Sequence, residues 1–228
     1  MRAKVTLCLL FGLLLTQTAC DGSLFYSAEP IKAWVVDAET KKPLEGVVVT
    51  ANWELTGGFE GSYPVGQMKV METTTDANGR FRFPGWGPTL HLGQGKLRDI
   101  QPQLLVFKPG YYYRNLANEP RSSAVYLGKS EWSGRKVELK PFKGTEEEYA
   151  EHVDRLDGNL DRFRDGNDCE WTEIPRMIVA IHRMREYFDS KEIRVKGWMA
   201  GARIRKVTDV GNQERCGSAE EYFRGYLR

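Results

Sequence analysis

Asp37-Ala38-Glu39-Thr40-Lys41-Lys42-Pro43-Leu44-Glu45-Gly46-Val47-Val48-Val49 is a chain reversal between two extended stretches. Lys42-Pro43-Leu44 starts the reversal with the fixed φ of proline. Upstream, residues 31–36 read as a strand, and downstream the β-branched run 47–53 reads as another. A second turn follows at Asp76-Ala77-Asn78-Gly79. Its Asp and Asn side chains bond their own backbone ahead of a glycine that can take positive φ. The same reading gives strands over 31–36, 47–53, 69–74, 80–83, 104–107, 124–127 and 136–139, with no helical period between them. Seven short strands broken by turns predict an antiparallel β-sandwich.

At these residues a family resemblance emerges. The opening stretch resembles the D-x-x-T-x-x-P-L-x-G-A-x-V of carboxypeptidase regulatory-like domains, which have a transthyretin-like fold. Thr75-Asp76-Ala77-Asn78-Gly79-Arg80-Phe81-Arg82-Phe83 resembles their T-D-x-x-G-x-F-x-F hairpin, and Lys108-Pro109-Gly110-Tyr111 their K-x-G-Y. The resemblance covers residues 30–142 and places a β-sandwich module there. Val47 stands where that family often has alanine, and 57–67 is a Gly- and aromatic-rich insertion. In zinc carboxypeptidases the module is accessory and the zinc ligands lie in another domain. The resemblance therefore implies a spacer or binding unit, with no catalytic residues, no cofactor and no metal.

The first residues read as a targeting segment. Arg2 and Lys4 precede the apolar run 5–15, then a small and polar stretch, the layout of a secretory signal. Eleven residues at helical rise cover roughly 16 Å, about half a hydrocarbon core. Thr18-Ala19-Cys20 resembles the bacterial lipobox, although Gln17 departs from it. That resemblance implies cleavage of 1–19, lipidation at Cys20, and a tether over 20–29. Ordinary secretory cleavage with a free Cys20 thiol is the alternative. Asp21 resembles the inner-membrane retention signal of enteric lipoproteins.

The chain has 228 residues, 33 basic and 31 acidic, with 41% hydrophobic and 28% charged residues. This composition excludes wholesale disorder and a polytopic membrane protein, and near-neutral charge excludes a dedicated nucleic-acid binder. Loss of Arg2 and Lys4 with the leader would leave 31 against 31. Of the four cysteines, the export reading removes Cys8 and commits Cys20. Cys169 and Cys216 are left to form a disulfide in an oxidising compartment.

Beyond Lys143-Gly144 the pattern turns helical, giving a disulfide-closed C-terminal region over 143–228 and an α+β protein overall. Thr145-Glu146-Glu147-Glu148 is a capping box. It is followed by an apolar stripe at Tyr149, Val153, Leu156, Leu160 and Phe163, with Gly158 placed to divide the helix. Ile174, Met177, Ile178, Ile181, Met184 and Phe188 form a second stripe behind Pro175, and Ser218 opens a short final helix. The two longer helices are expected to pack on each other or on the sandwich. Residues 143–170 hold 10 acidic and 4 basic groups, and 171–228 hold 8 and 12. Complementary faces within the region explain this. A basic face of Lys191, Arg194, Lys196, Arg203, Arg205 and Lys206 toward anionic lipid is the sharper reading.

No reaction is legible. His91, His152 and His182 are far apart and begin no zinc motif. Intradiol dioxygenases share the transthyretin-like sandwich, but Tyr111-Tyr112-Tyr113 has no paired histidine nearby in sequence. Asp157, Asn159, Asp161, Asp165 and Asp168 imitate a calcium loop with Arg162 where glycine is required, and read instead as a solvated helix face. His182 and Glu186 read as a salt-linked pair.

Aromatic side chains supply the candidate partner surface: Trp53, Tyr63, Trp86, Tyr111, Tyr112 and Tyr113, with Phe59, come from loops and strand ends that a sandwich can gather at one end. The expected protein is a non-catalytic, lipid-anchored periplasmic lipoprotein that offers a binding or scaffold module to an envelope protein or polymer. An immunity or inhibitor lipoprotein, and a hydrolase with an unrecognised carboxylate site, are the alternatives.

Overall fold

The computed structural model describes residues 24–58, 63–120, 128–166, 168–193 and 204–228. The predicted strand 124–127 lies outside them, as do Cys20, Phe59, Arg194, Lys196 and Arg203.

Two sheets enclose one apolar core. Strand β2 (Ile31–Asp37) is the centre of the smaller sheet, between β5 (Arg80–Phe83) and β10 (Lys136–Leu139). In the larger sheet, β3 (Val48–Gly57) lies between β4 (Tyr63–Thr74) and β8 (Gln103–Phe107), with β9 (Arg114–Leu116) beyond β8 and the short β7 (Lys96–Leu97) against β3. A separate ribbon pairs β1 (Phe25–Ala28) with β6 (Trp86–Leu90). Ile31, Ala33 and Val35 from one sheet meet Val49, Ala51, Trp53, Leu104 and Val106 from the other in a single buried cluster, which makes the arrangement sandwich-like.

The strand pattern corrects the expectation in two respects. First, β10 runs parallel to β2, so the smaller sheet is mixed, whereas the pairs of the larger sheet are all antiparallel as expected. Second, ten strands are present among the described residues, and the described parts of the stretch read as an insertion, 57–58 and 63–67, lie at the far ends of β3 and β4, with Leu55 opposite Gly66 and Gly57 opposite Tyr63.

The motifs quoted from the sequence converge in space. The Thr75 hydroxyl accepts from Val47 N–H at 2.9 Å and donates to Leu44 O at 2.6 Å. Lys108 Nζ donates to Glu45 O at 2.7 Å, and Tyr111 Oη donates to Asp37 Oδ2 at 2.9 Å. Asp37 also accepts from the backbone N–H groups of Thr40 and Glu39, and these bonds hold its carboxyl below the usual range. Gly79 has φ +70°, and a Cβ there would lie 2.4 Å from Val35 O, so no other residue fits the turn.

Helices cover the outer face of the larger sheet. α1 (Glu146–Gly158) starts at the Thr145 capping box and stops at Gly158, and α2 (Asp161–Arg164) follows at once. After a 3₁₀ turn over Glu170–Glu173, α3 (Pro175–Ser190) starts with proline in its first turn, where a missing N–H costs nothing. α4 (Gln213–Cys216) and α5 (Ala219–Phe223) close the chain, with the Ser218 hydroxyl capping α5. Val48, Val70, Leu105 and Phe107 of the sheet join Val153, Leu156, Trp171, Ile178 and Phe223 in a second buried cluster. Residues on both sides of position 143 thus build one core, and β3 is buried on both faces.

Candidate functional site

Alternation along β3 determines what the helices see. Val49, Ala51, Trp53 and Leu55 point into the sandwich core, so Val48, Thr50, Asn52 and Glu54 face the helical layer. Val48 meets apolar side chains there. The other three are polar, and all are buried. In register beside them stand Gln103, opposite Asn52, and Asn115, opposite Leu105 and hence in the row of Thr50.

Above this polar strip the junction of α1 and α2 leaves a cleft of about 320 Å³. Its floor is Thr50, Asn52, Gln103, Leu105 and Asn115, and its roof is Gly158, Asn159, Arg162 and Phe163. A Cβ on Gly158 would meet nothing within 4 Å, so the roof is open there. The Asn159 amide donates to Arg155 O at 2.7 Å and to Tyr113 Oη at 3.3 Å, which fixes its orientation. Arg162 forms an ion pair with the buried Glu54 carboxylate, which neutralises the one ionisable side chain among the described residues lining the cleft. Asn52 is only 6% exposed, and its Oδ1 has no hydrogen-bond partner. A buried acceptor in that state carries a cost that a donor entering the cleft would remove.

The cleft is lined for hydrogen bonding and apolar contact. It offers amide and hydroxyl groups, a neutralised guanidinium and two apolar walls. Among the described lining residues there is no nucleophile with a neighbouring base.

A buried carboxyl with a raised pKa lies elsewhere. Glu72, on β4, accepts the N–H groups of Met177 at 2.7 Å and Arg176 at 2.9 Å, one on each oxygen. Burial pushes its carboxyl up to about 7 against the pull of these bonds and of Arg176. Both oxygens are thus spent on the first turn of α3, which is a capping arrangement from a distant strand.

The aromatic residues singled out in the sequence do not form one surface. Trp53 is fully buried, its ring 5.6 Å from that of Trp86 in an edge-on contact, and so belongs to the core. Core alternation along β3 takes it there. Tyr63 is exposed at the far end of the β3–β4 hairpin. Tyr111 is tied to Asp37, and Tyr112 and Tyr113 pack against the imidazole of His152 at 5.1 and 4.5 Å between centroids. Sequence spacing gave no sign that a histidine would meet these tyrosines. Its Nε2 accepts from Tyr113 N–H at 2.9 Å, and burial lowers its pKa to about 4, so it serves as a neutral clip between α1 and the chain before β9.

Cys169 and Cys216 form a disulfide with Cα atoms 5.6 Å apart. The acidic run beside Cys169 is paired with arginines: Asp161 and Asp165 with Arg205, and Asp168 with Arg215. Arg205 is therefore spent inside the region rather than presented to a lipid face. His182 and Glu186 stand 3.5 Å apart along α3. Among the described residues no group of three His, Cys, Asp or Glu side chains is placed to hold a metal ion, and no helix is long and apolar enough to cross a membrane.

Sequence reading missed the cleft entirely. Thr50, Asn52 and Glu54 look like the solvent face of an amphipathic strand, and nothing local reveals that helices more than a hundred residues later roof them over.

No protein family matches the chain, and no curated protein does. Solved structures similar to parts of the chain include a streptococcal ancillary pilin at 12% identity over 51% of this chain and 30% of that one, TM-score 0.27. Hydroxyquinol 1,2-dioxygenase from Pseudomonas putida is 14% identical over 50% of this chain and 57% of that one, TM-score 0.29. The C-terminal domain of a shaft pilin from Lactobacillus rhamnosus GG is 16% identical over 51% of this chain and 99% of that domain, TM-score 0.26.

Proposed function

We propose that this chain is an exported lipoprotein, acylated at Cys20, whose folded part is a non-catalytic binding module that takes a small neutral polar ligand into the cleft between the larger sheet and the α1–α2 junction. The observation that carries this reading is the Asn52 carboxamide oxygen, buried and unpartnered beside Gln103 in a cleft where Arg162, the only ionisable group among the described lining residues, is already neutralised by Glu54. A cleft of about 320 Å³ lies at the small end of the range for ligand sites. Hydroxyl and amide donors match its chemistry; a carboxylate or phosphate would meet no uncompensated cation. The three meeting motifs around Thr75, Lys108 and Asp37 support reading the sandwich as a carboxypeptidase regulatory-like module.

The test is ligand-observed NMR on the purified protein with neutral mono- and disaccharides and N-acetylated sugars, beside galacturonate and triglycine. A neutral sugar is expected to bind, and Asn52→Leu and the cleft-blocking Gly158→Leu are expected to abolish its signal while leaving the fold intact. Binding that survives both substitutions, or that favours the charged sugar, would refute the site. The anchor is tested separately by mass spectrometry of the natively processed N-terminal peptide, where an unmodified Cys20 would remove it.

A further inference from the structure

The β1–β6 ribbon ends in apolar side chains that the core does not use. Leu24, Phe25, Leu90 and Leu92 are 55%, 59%, 50% and 75% exposed. Phe25 stands opposite Leu90 across the ribbon. Leu24 O accepts from His91 N–H at 2.8 Å, which sets Leu24 beside the His91–Leu92 corner. The imidazole of His91 lies 3.1 Å from Gln94 O, closing the turn that presents Leu92. Phe25 and Leu90 share one face of the ribbon and Leu24 and Leu92 flank the same end, so four exposed large apolar residues gather at one tip, a feature of the kind that marks an interaction surface.

Its place in the chain selects the occupant. Leu24 lies four residues after Cys20. Four residues span at most about 14 Å when fully extended. If Cys20 is held at a bilayer surface, this tip is the part of the fold that its tether keeps closest to the lipid.

We infer that the Leu24–Phe25 and Leu90–Leu92 tip is a membrane-contact surface that seats the folded module against the bilayer holding its anchor. The inference rests on the anchored reading above for its geometry, but the surface acts through its own side chains. Acyl chains supply the attachment and the tip supplies the orientation, because attachment at a single point does not by itself fix how the module faces the bilayer. Aromatic and leucine side chains that enter the headgroup boundary add apolar burial to whatever the lipid contributes.

The experiment separates the patch from the lipid. The mature-length chain carrying Cys20→Ser is mixed with vesicles of phosphatidylethanolamine and phosphatidylglycerol in a 3:1 ratio, and partitioning is read by co-sedimentation. Measurable binding is expected, with at least a tenfold loss in Phe25→Glu/Leu92→Glu and little change between 0.05 and 0.5 M NaCl. Both sites are more than half exposed, so an unchanged urea midpoint should confirm that the variant folds. Partitioning no stronger than that of the variant, or binding that salt abolishes and the substitutions do not, would overturn the inference. So would a dimer seen by sedimentation velocity and lost in the same variant, since a second copy would then be the occupant. The mass of the processed N-terminus reports the anchor independently, so failure of one reading is not mistaken for failure of the other.

Discussion

Asp157 and Arg164 meet at 2.9 Å with their side chains 4% and 0% exposed, joining the last turn of α1 to the last turn of α2. Burial raises the carboxyl and lowers the guanidinium from their ordinary values, and each opposes that trend in the other. The pair also organises the chain that follows. Asp157 Oδ2 accepts from Arg205 N–H at 2.7 Å, and Arg164 Nη1 donates to Lys206 O at 2.9 Å. Asp157→Ala should therefore cost about 3–5 kcal/mol, because it strands a buried cation. Arg164→Met should cost a similar amount. The double substitution should cost less than the sum but not vanish, since two backbone groups at 205–206 lose their partners. Urea unfolding of the cycle measures this.

Cys169 and Cys216 are 47 positions apart, and their bond closes a loop that contains the whole of α3. On the loop-entropy account the cross-link stabilises the fold by about 4 kcal/mol. Cys169→Ser/Cys216→Ser should lower the urea midpoint by an amount equivalent to that figure. Dithiothreitol should do the same to the natural chain and leave the variant unchanged.

How much of this was legible follows from which interactions are local. The Thr145 capping box, the stop at Gly158 and the Pro175 start depend on residues within one helical turn, and each could be read directly. The Asp37–Val49 reversal and the Asp76–Gly79 turn were legible for the same reason. Parallel pairing of β10 with β2 was not, because a strand's own residues do not specify the direction of its neighbour. Neither was the burial of Thr50, Asn52 and Glu54, where a period-two pattern is the same whether water or a helical layer covers the polar face. Tyr111 to Tyr113 drew notice as ring-rich loop residues. Their meeting with His152 depends on how α1 docks, and that is fixed by the sheet's outer face rather than by either segment.

His152 gives a pH signature. Its folded pKa of about 4 lies below the ordinary 6.5, because burial disfavours the imidazolium and Arg155 adds to the effect. The unfolded chain therefore binds the extra proton first. This group's contribution is fully present above about pH 6.5, declines as pH falls, and is exhausted near pH 4. The loss amounts to roughly 3 kcal/mol. His152→Gln keeps an acceptor for Tyr113 N–H but removes the titration. Its stability relative to the natural chain should thus improve on going from pH 7 to pH 4, as read by urea midpoints at each pH.

Arg162 and Glu54 provide the last test, because they set the charge of the cleft. Glu54 projects from β3 with 5% of its side chain exposed, whereas the Arg162 side chain is 53% exposed on the roof. The carboxylate is therefore the partner that needs the pair, and Arg162→Met should destabilise the fold by about 1–3 kcal/mol, the cost of an abandoned buried group discounted for the exposed half of the interaction. Glu54→Gln acts in the opposite sense on ligands. It leaves a guanidinium without its counter-charge over Asn52 and Gln103, and the cleft becomes cationic. The substituted protein should gain affinity for galacturonate over a neutral sugar, with the gain shrinking as salt rises. Ligand-observed NMR at two salt concentrations reads both effects. An unchanged preference would mean that the ion pair is structural and that recognition does not pass through the roof.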